Sequence, residues 1–180
     1  MSGMATYGRL LFIGTAVMVL AEGACAESTL DAAIKALHPH SAIVKRGEVD
    51  PSCGPRPDQV LVADFNGDGV PDYAVLLGIW PSGRQATRTD KVIAIGLAAF
   101  MGQSGGGGFR PFIVERFPGE SPCPRMIAVE PLGLVRHWED PRKEVRLVFP
   151  GIGRLYCEKS GRVFYWSPRI RGFRWTAAGD

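Results

Sequence analysis

Beyond residue 26 no apolar stretch of this chain reaches membrane length. Short runs rich in Val, Ile, Leu and aromatic residues alternate with clusters of Gly, Pro, Asp and Ser. Runs of that kind read as β-strands ended by turns. Eleven are recognisable, at 42–45, 59–63, 73–79, 92–100, 112–117, 126–129, 132–137, 145–149, 155–157, 163–166 and 173–176. The 14 prolines and 23 glycines supply enough breaks for that many short elements. Residues 92–100 are apolar nearly throughout, which suits a central strand or a second helix, and strand is the preferred reading. Lys159-Ser160-Gly161-Arg162 reads as a hairpin turn, and 103–108 as a flexible connection between two strands.

One helix interrupts this pattern. Leu30, Ala33, Ile34 and Leu37 recur at helical spacing, Ser28 can cap the first turn, and Asp31 suits the positive end of the helix. Pro39 stops it near Leu37. A short helix cannot bury its apolar stripe alone. The expected fold class is therefore α+β, mainly antiparallel β, with one N-terminal helix packed on a sheet of short strands. Hydrophobic residues make up 46% and charged residues 22%, which excludes a disordered chain, a collagen and a coiled coil.

Residues 1–26 read as a signal peptide that is removed. Arg9 precedes the eleven-residue apolar run 10–20, and Ala24-Cys25-Ala26 forms an A-x-A cleavage site. The run is shorter than the roughly 20 residues that span a bilayer. Residues 27–180 are then a single globular domain, periplasmic or secreted, with no membrane span after signal removal. Cys53, Cys123 and Cys157 remain, enough for one disulfide with three possible pairings. Cys53 and Cys123 lie in Pro-rich loops and are the favoured pair.

Chemistry concentrates at 60–77, VLVADFNGDGVPDYAVLL. Asp64, Asn66, Asp68 and Asp72 bring oxygen-bearing side chains to positions one, three, five and nine of a tight loop. Calcium takes six to eight hard oxygen ligands, and a curled loop turns alternate side chains inward to supply them. Gly69 follows where the backbone must turn sharply. Val70 can offer its main-chain carbonyl at position seven. A helix-loop-helix calcium hand needs a bidentate Glu at position twelve, and that position is Val75. With strand-like flanks on both sides, 60–77 is expected to form a strand–calcium loop–strand unit. Without a cation the acids would repel one another. Every apparent ligand lies in one local loop, so the metal's expected role is structural.

The stretch resembles an FG-GAP or VCBS-type repeat, the calcium loop of integrin-α-like β-propellers and of many exported bacterial proteins. The resemblance implies Asp64, Asn66, Asp68 and Asp72 as side-chain ligands and Val70 as a main-chain ligand. It covers about twenty residues and occurs once, whereas a propeller needs several blades. It therefore implies calcium and strands, not a propeller. The closing run VFYWSPRIRGFRW is similar to the last hairpin of small exported single-repeat proteins of unknown role.

Other signals are weaker. Gly102-Gln103-Ser104-Gly105-Gly106 matches the G-x-S-x-G elbow of α/β-hydrolases, but Gly107, Gly108 and then Phe109-Arg110-Pro111 follow where that elbow needs a helix. His38 and His40 flank Pro39 in a loop, and His137 has no recognisable catalytic partner. Residues 136–174 hold ten Lys or Arg against four acids, and Phe164, Tyr165, Trp166, Phe173 and Trp175 interleave with Arg162, Arg169, Arg171 and Arg174. That segment is either a basic aromatic surface or a half-buried strand pair with its arginines in water. A net charge of +3 is too small to imply nucleic acid. The expected function is an exported, calcium-stabilised binding or interaction module without catalysis. Its partner would be an unidentified protein or an anionic envelope polymer. An envelope enzyme inhibitor or immunity-type protein is the alternative. A small hydrolase would need a cleft joining His137 or Ser104 to a carboxylate.

Overall fold

The turn-forming clusters cut the chain into strands whose two faces are buried to different degrees, and this determines how the sheets stack. The computed structural model describes residues 30–44, 59–79, 94–117, 125–140, 142–156 and 159–178. Residues 1–26, read above as a signal peptide, and Cys53, Cys123 and Cys157 lie outside the described residues. A helix, α1, covers 30–37. Its end is tied down by Ser41, whose amide and hydroxyl both donate to the His38 carbonyl, at 3.0 and 2.8 Å. Among the described residues no helix is long and apolar enough to cross a membrane.

Among the described residues eleven strands follow: β1 (Ser41–Ile43), β2 (Val60–Ala63), β3 (Asp72–Ile79), β4 (Ala94–Gly102), β5 (Phe109–Phe117), β6 (Arg125–Glu130), β7 (Gly133–Arg136), β8 (Glu144–Leu147), β9 (Gly151–Tyr156), β10 (Lys159–Ser167) and β11 (Gly172–Ala178). Every pairing is antiparallel. The first sheet runs β1-β3-β4-β5, with β2 also paired to β3; the second runs β11-β10-β9-β6; β7 and β8 pair only with each other. The apolar run at 92–100 is the strand β4, central in the first sheet.

Period-two alternation explains why β3 and β4 are apolar without interruption. Ala74, Leu76, Leu97, Ala99 and Met101 face one cluster, which they share with Ile127, Ile152 and Phe164 of the second sheet. Val75, Leu77, Ala98 and Phe100 face the other, which includes Leu30 and Ile34 of α1. Val163, on the opposite face of β10 from Phe164, joins Val135 and Leu147 of the β7–β8 pair in a third cluster. Truncating Phe164 to Ala at the centre of this stack would cost about 3–5 kcal/mol.

One sequence expectation changes and one open alternative is resolved. Lys159–Arg162 is not a turn: β10 already pairs with β9 at Lys159↔Tyr156, and a register shift falls between Lys159 and Arg162. Gly161 permits that shift, because a Cβ there would strike the Arg154 carbonyl. The aromatic–arginine segment is not one surface either. Phe164, Trp166 and Phe173 face the inter-sheet core, where Phe112, Trp166 and Phe173 meet edge-to-face at 5.4–6.0 Å between ring centres. Tyr165 packs on the opposite side.

The β10–β11 turn holds Arg171 at φ 48°, where an L side chain crowds its own backbone. Arg171→Gly is expected to raise stability by up to about 1 kcal/mol. A lowered denaturant midpoint for this variant would contradict that reading of the turn.

Candidate functional site

The loop between β2 and β3 is shaped by its own acidic side chains. Asp64 Oδ1 accepts hydrogen bonds from the amides of Gly67 (2.6 Å) and Asp68 (3.1 Å), and its Oδ2 accepts from Gly69 (2.9 Å). Asn66 Oδ1 accepts from the Asp68 amide at 2.9 Å. Asp68 Oδ1 accepts from the Val70 amide at 2.8 Å, while Asn66 Nδ2 donates to Asp68 Oδ2, also at 2.8 Å. Short polar side chains favour such local bonds over a strand ladder, so the chain curls here. Gly69 has φ +82°, the left-handed conformation anticipated at the sharp turn.

Asp72 is placed differently from the other three. It is fully buried at the start of β3. Its Oδ2 accepts from the Phe65 amide and its Oδ1 from the Gly102 amide, both at 2.8 Å. One carboxylate thus joins the entry of the loop, the first residue of β3 and the end of β4. The close approach requires glycine at 102, since a Cβ there would lie 2.5 Å from the Pro71 carbonyl oxygen and 2.6 Å from Val70 Cγ1. Burial pushes the Asp72 carboxyl up from 3.8 to about 6; the two amides oppose this, and the nearby Asp68 and Asp64 add to it.

The structure gathers Asp64, Asn66 and Asp68 into one hydrogen-bonded turn, with Val70 at its end, and sets Asp72 beneath them. Among the described residues no three His, Cys, Asp or Glu side chains form a ready metal cluster. The donor chemistry nonetheless fits calcium. The side chains are carboxylates and an amide; Asp64 Oδ1 already accepts two amides, while Asp64 Oδ2 and both Asp68 oxygens accept one bond each and keep a further lone pair. Among the described residues no Lys or Arg forms an ion pair with Asp64, Asp68 or Asp72.

The sequence reading missed a second charged constellation. Glu115 of β5 lies between Arg154 of β9 (3.1 Å) and Arg162 of β10 (2.7 Å), bridging the two sheets. The Arg154 side chain is wholly buried and that of Glu115 nearly so. A buried guanidinium is tolerated only when a carboxylate meets it. The available signal was charge inside two largely apolar strands, Glu115 in FRPFIVERF and Arg154 in GIGRLY. The pairing itself has no local pattern. Ser104 is exposed in the β4–β5 hairpin, which the Gln103 amide closes onto the Gly108 carbonyl at 3.1 Å. The His38 and His40 rings meet edge-on at 6.1 Å just after α1.

The raised Asp72 carboxyl has a pH consequence for the metal-free protein. Below about 4 both folded and unfolded chains hold the proton; between the unfolded value of 3.8 and the folded value of about 6 only the folded chain does. Stability from this group is therefore fully present at low pH and is lost as pH rises through that window. Denaturation in chelator should show wild-type stability falling from pH 4 to 6 relative to Asp72→Asn. Parallel curves for the two proteins would contradict it.

No protein-family model matches this chain, and no curated protein or solved structure is similar enough to it to count as a match.

Proposed function

We propose that the protein is an exported, non-catalytic binding module stabilised by one calcium ion in the loop between β2 and β3. The observation that carries this reading is the loop itself. Asp64, Asn66 and Asp68 present hard oxygens over a frame of backbone amides, and no basic side chain of the described residues neutralises them. Asp64, Asn66 and Asp68 would hold the ion through side chains and Val70 through its carbonyl, with Asp72 contributing from below, directly or through water. The single FG-GAP or VCBS-like copy supports the same assignment.

Calcium would supply charge neutralisation rather than chemistry on a substrate. The Asp72 carboxyl, raised in part by Asp64 and Asp68, ionises more readily once those charges are offset. Because Asp72 also holds Gly102, neutralising the loop stiffens the junction of β2, β3 and β4. The first sheet, with α1 lying over its outer face, then becomes a firm base for the second sheet and whatever that sheet presents. Residues 1–26, read as a signal peptide, would carry the chain to a compartment where calcium is abundant. Extracellular modules bind calcium with Kd about 10⁻⁴–10⁻³ M, and that range is expected here.

Titration calorimetry should give one site in this range, and saturation at a hundredfold excess over Kd should stabilise the fold by about 2.7 kcal/mol. Asp64→Ala combined with Asp68→Ala should remove both effects. A wild-type protein with no calcium heat and no shift in Tm at millimolar calcium would overturn the proposal.

A further inference from the structure

We propose that the cleft between strands β9, β10 and β11 and the segment after β7 binds a neutral sugar ring of the glucose configuration. The cleft encloses about 300 Å³. Gly161 and Ala177 in its lining carry little or no side chain, which leaves the space open. Three features of the remaining lining point to this ligand.

The first is a pair of unstacked indoles. Trp138 and Trp175 both line the cleft, and they are 51% and 52% exposed. Tryptophan is usually well buried, and this chain does bury one, since Trp166 packs edge-to-face on Phe112 and Phe173. Among the described residues no aromatic ring packs on Trp138 or Trp175. The register explains Trp175. It stands opposite Phe164, on the core-facing side, but belongs to the edge strand β11 and falls outside the core cluster. A half-wet indole is a flat apolar platform. A glucose ring, with its hydroxyls equatorial, presents axial C–H bonds on a flat face that matches such a platform.

The second is that the cleft holds both signs of charge. Glu139 brings an exposed carboxylate that no Lys or Arg of the described residues pairs with. Arg162 brings a part-exposed guanidinium, fixed by Glu115 at 2.7 Å. Arg154 is buried against Glu115 at 3.1 Å, and the ligand needs nothing from it. An anionic ligand would meet Glu139, and a cationic one Arg162. The place a cation would take over Trp175 is already filled, because the Arg162 guanidinium carbon lies 4.2 Å from that ring's centre. Trp175 stays half exposed with Arg162 in place, so apolar surface remains for a neutral ring.

The third is the match to hydroxyl groups, which donate and accept at once. Glu139 accepts. Arg162 keeps N–H donors beyond the one that bonds Glu115. His137 Nδ1 accepts from the Glu139 amide at 3.3 Å, so Nε2 carries the proton of the neutral imidazole and donates. A purely apolar ligand would leave these groups unanswered. The volume lies at the lower end of ligand sites, about 300–1,000 Å³, which suits a single ring.

This inference rests on the reading of the protein as a binding module, and the test separates it from the calcium assignment. The indole N–H resonances of the full chain in calcium would be followed by NMR and assigned with Trp138→Phe and Trp175→Phe. The probes are glucose, its carboxylate form glucuronate, its ammonium form glucosamine, and inorganic phosphate, all at millimolar concentration. Glucose should shift the Trp138 and Trp175 signals and leave Trp166 in place. Glucuronate and glucosamine should each bind at least about tenfold more weakly, a difference of about 1.4 kcal/mol, and phosphate should move neither indole. Trp175→Ala and Glu139→Ala, both at exposed positions, should each lose at least that tenfold for glucose while keeping calcium binding and the rest of the spectrum. No indole shift with glucose, a charged probe that binds as tightly as glucose, or unchanged glucose affinity in either folded variant would each overturn the proposal. A chain that binds calcium but not glucose sinks the cleft alone. One that binds glucose but not calcium sinks the calcium reading alone.

Discussion

The Asp72 carboxylate, held between the amides of Phe65 and Gly102, is the contact on which this architecture turns. A buried carboxylate left unbonded would cost several kcal/mol, so the two amides are a condition of its being there. Meeting that condition brings three chain segments to one point. Phe65, fully buried, enters the core between the sheets as the loop begins. Asp72 opens β3, which pairs with β1, β2 and β4. Gly102 ends β4 against the Val70–Pro71 backbone. The acidic loop is thereby fastened to the central strands, and a change in its charge is felt by the sheet.

That coupling makes a structural metal intelligible. Asp64 and Asp68 use backbone amides to keep their shape, but amides do not cancel two formal charges. The field of those charges adds to the effect of burial, the main cause of the raised Asp72 carboxyl. A cation in the loop would relieve Asp64 and Asp68 directly and Asp72 through them. The Glu115 bridge also ties the sheets at the far edge of the first one, where one carboxylate meets the guanidiniums of Arg154 and Arg162 from the second.

The strands were legible because apolar residues and turn-formers alternate so often that every run has a visible end. Errors arose where a residue's usual meaning was overridden by a neighbour. β5 begins at Phe109 rather than after Pro111, because β5 is an edge strand and proline is tolerated there. β9 begins at Gly151, where Val163 Cγ1 and the Phe164 carbonyl come within about 3.1 Å of a would-be Cβ, so a glycine serves close packing rather than a turn. Lys159–Arg162 looks like a hairpin turn by composition but carries the register shift in β10. The tight Asp64–Val70 turn was legible from spacing alone, since its geometry is local. Asp72 burial was not, because its partner Gly102 lies thirty residues away. The Glu115–Arg154–Arg162 trio was hidden for the same reason. Interleaved aromatics and arginines in 162–175 also could not be sorted by composition; the pleat sends Phe164 and Trp166 inward with Phe173 and leaves Trp175 half in water.

The account stands or falls on whether the loop amides and the Asp72 contacts respond to calcium as one unit. Amide hydrogen exchange of Gly67, Asp68, Gly69 and Val70, together with Phe65 and Gly102, measures this directly with and without the ion. Slowed exchange at all six on adding calcium, with distant amides of β10 and β11 little changed, is the expected result. Exchange at these six that is the same in calcium and in chelator would contradict it.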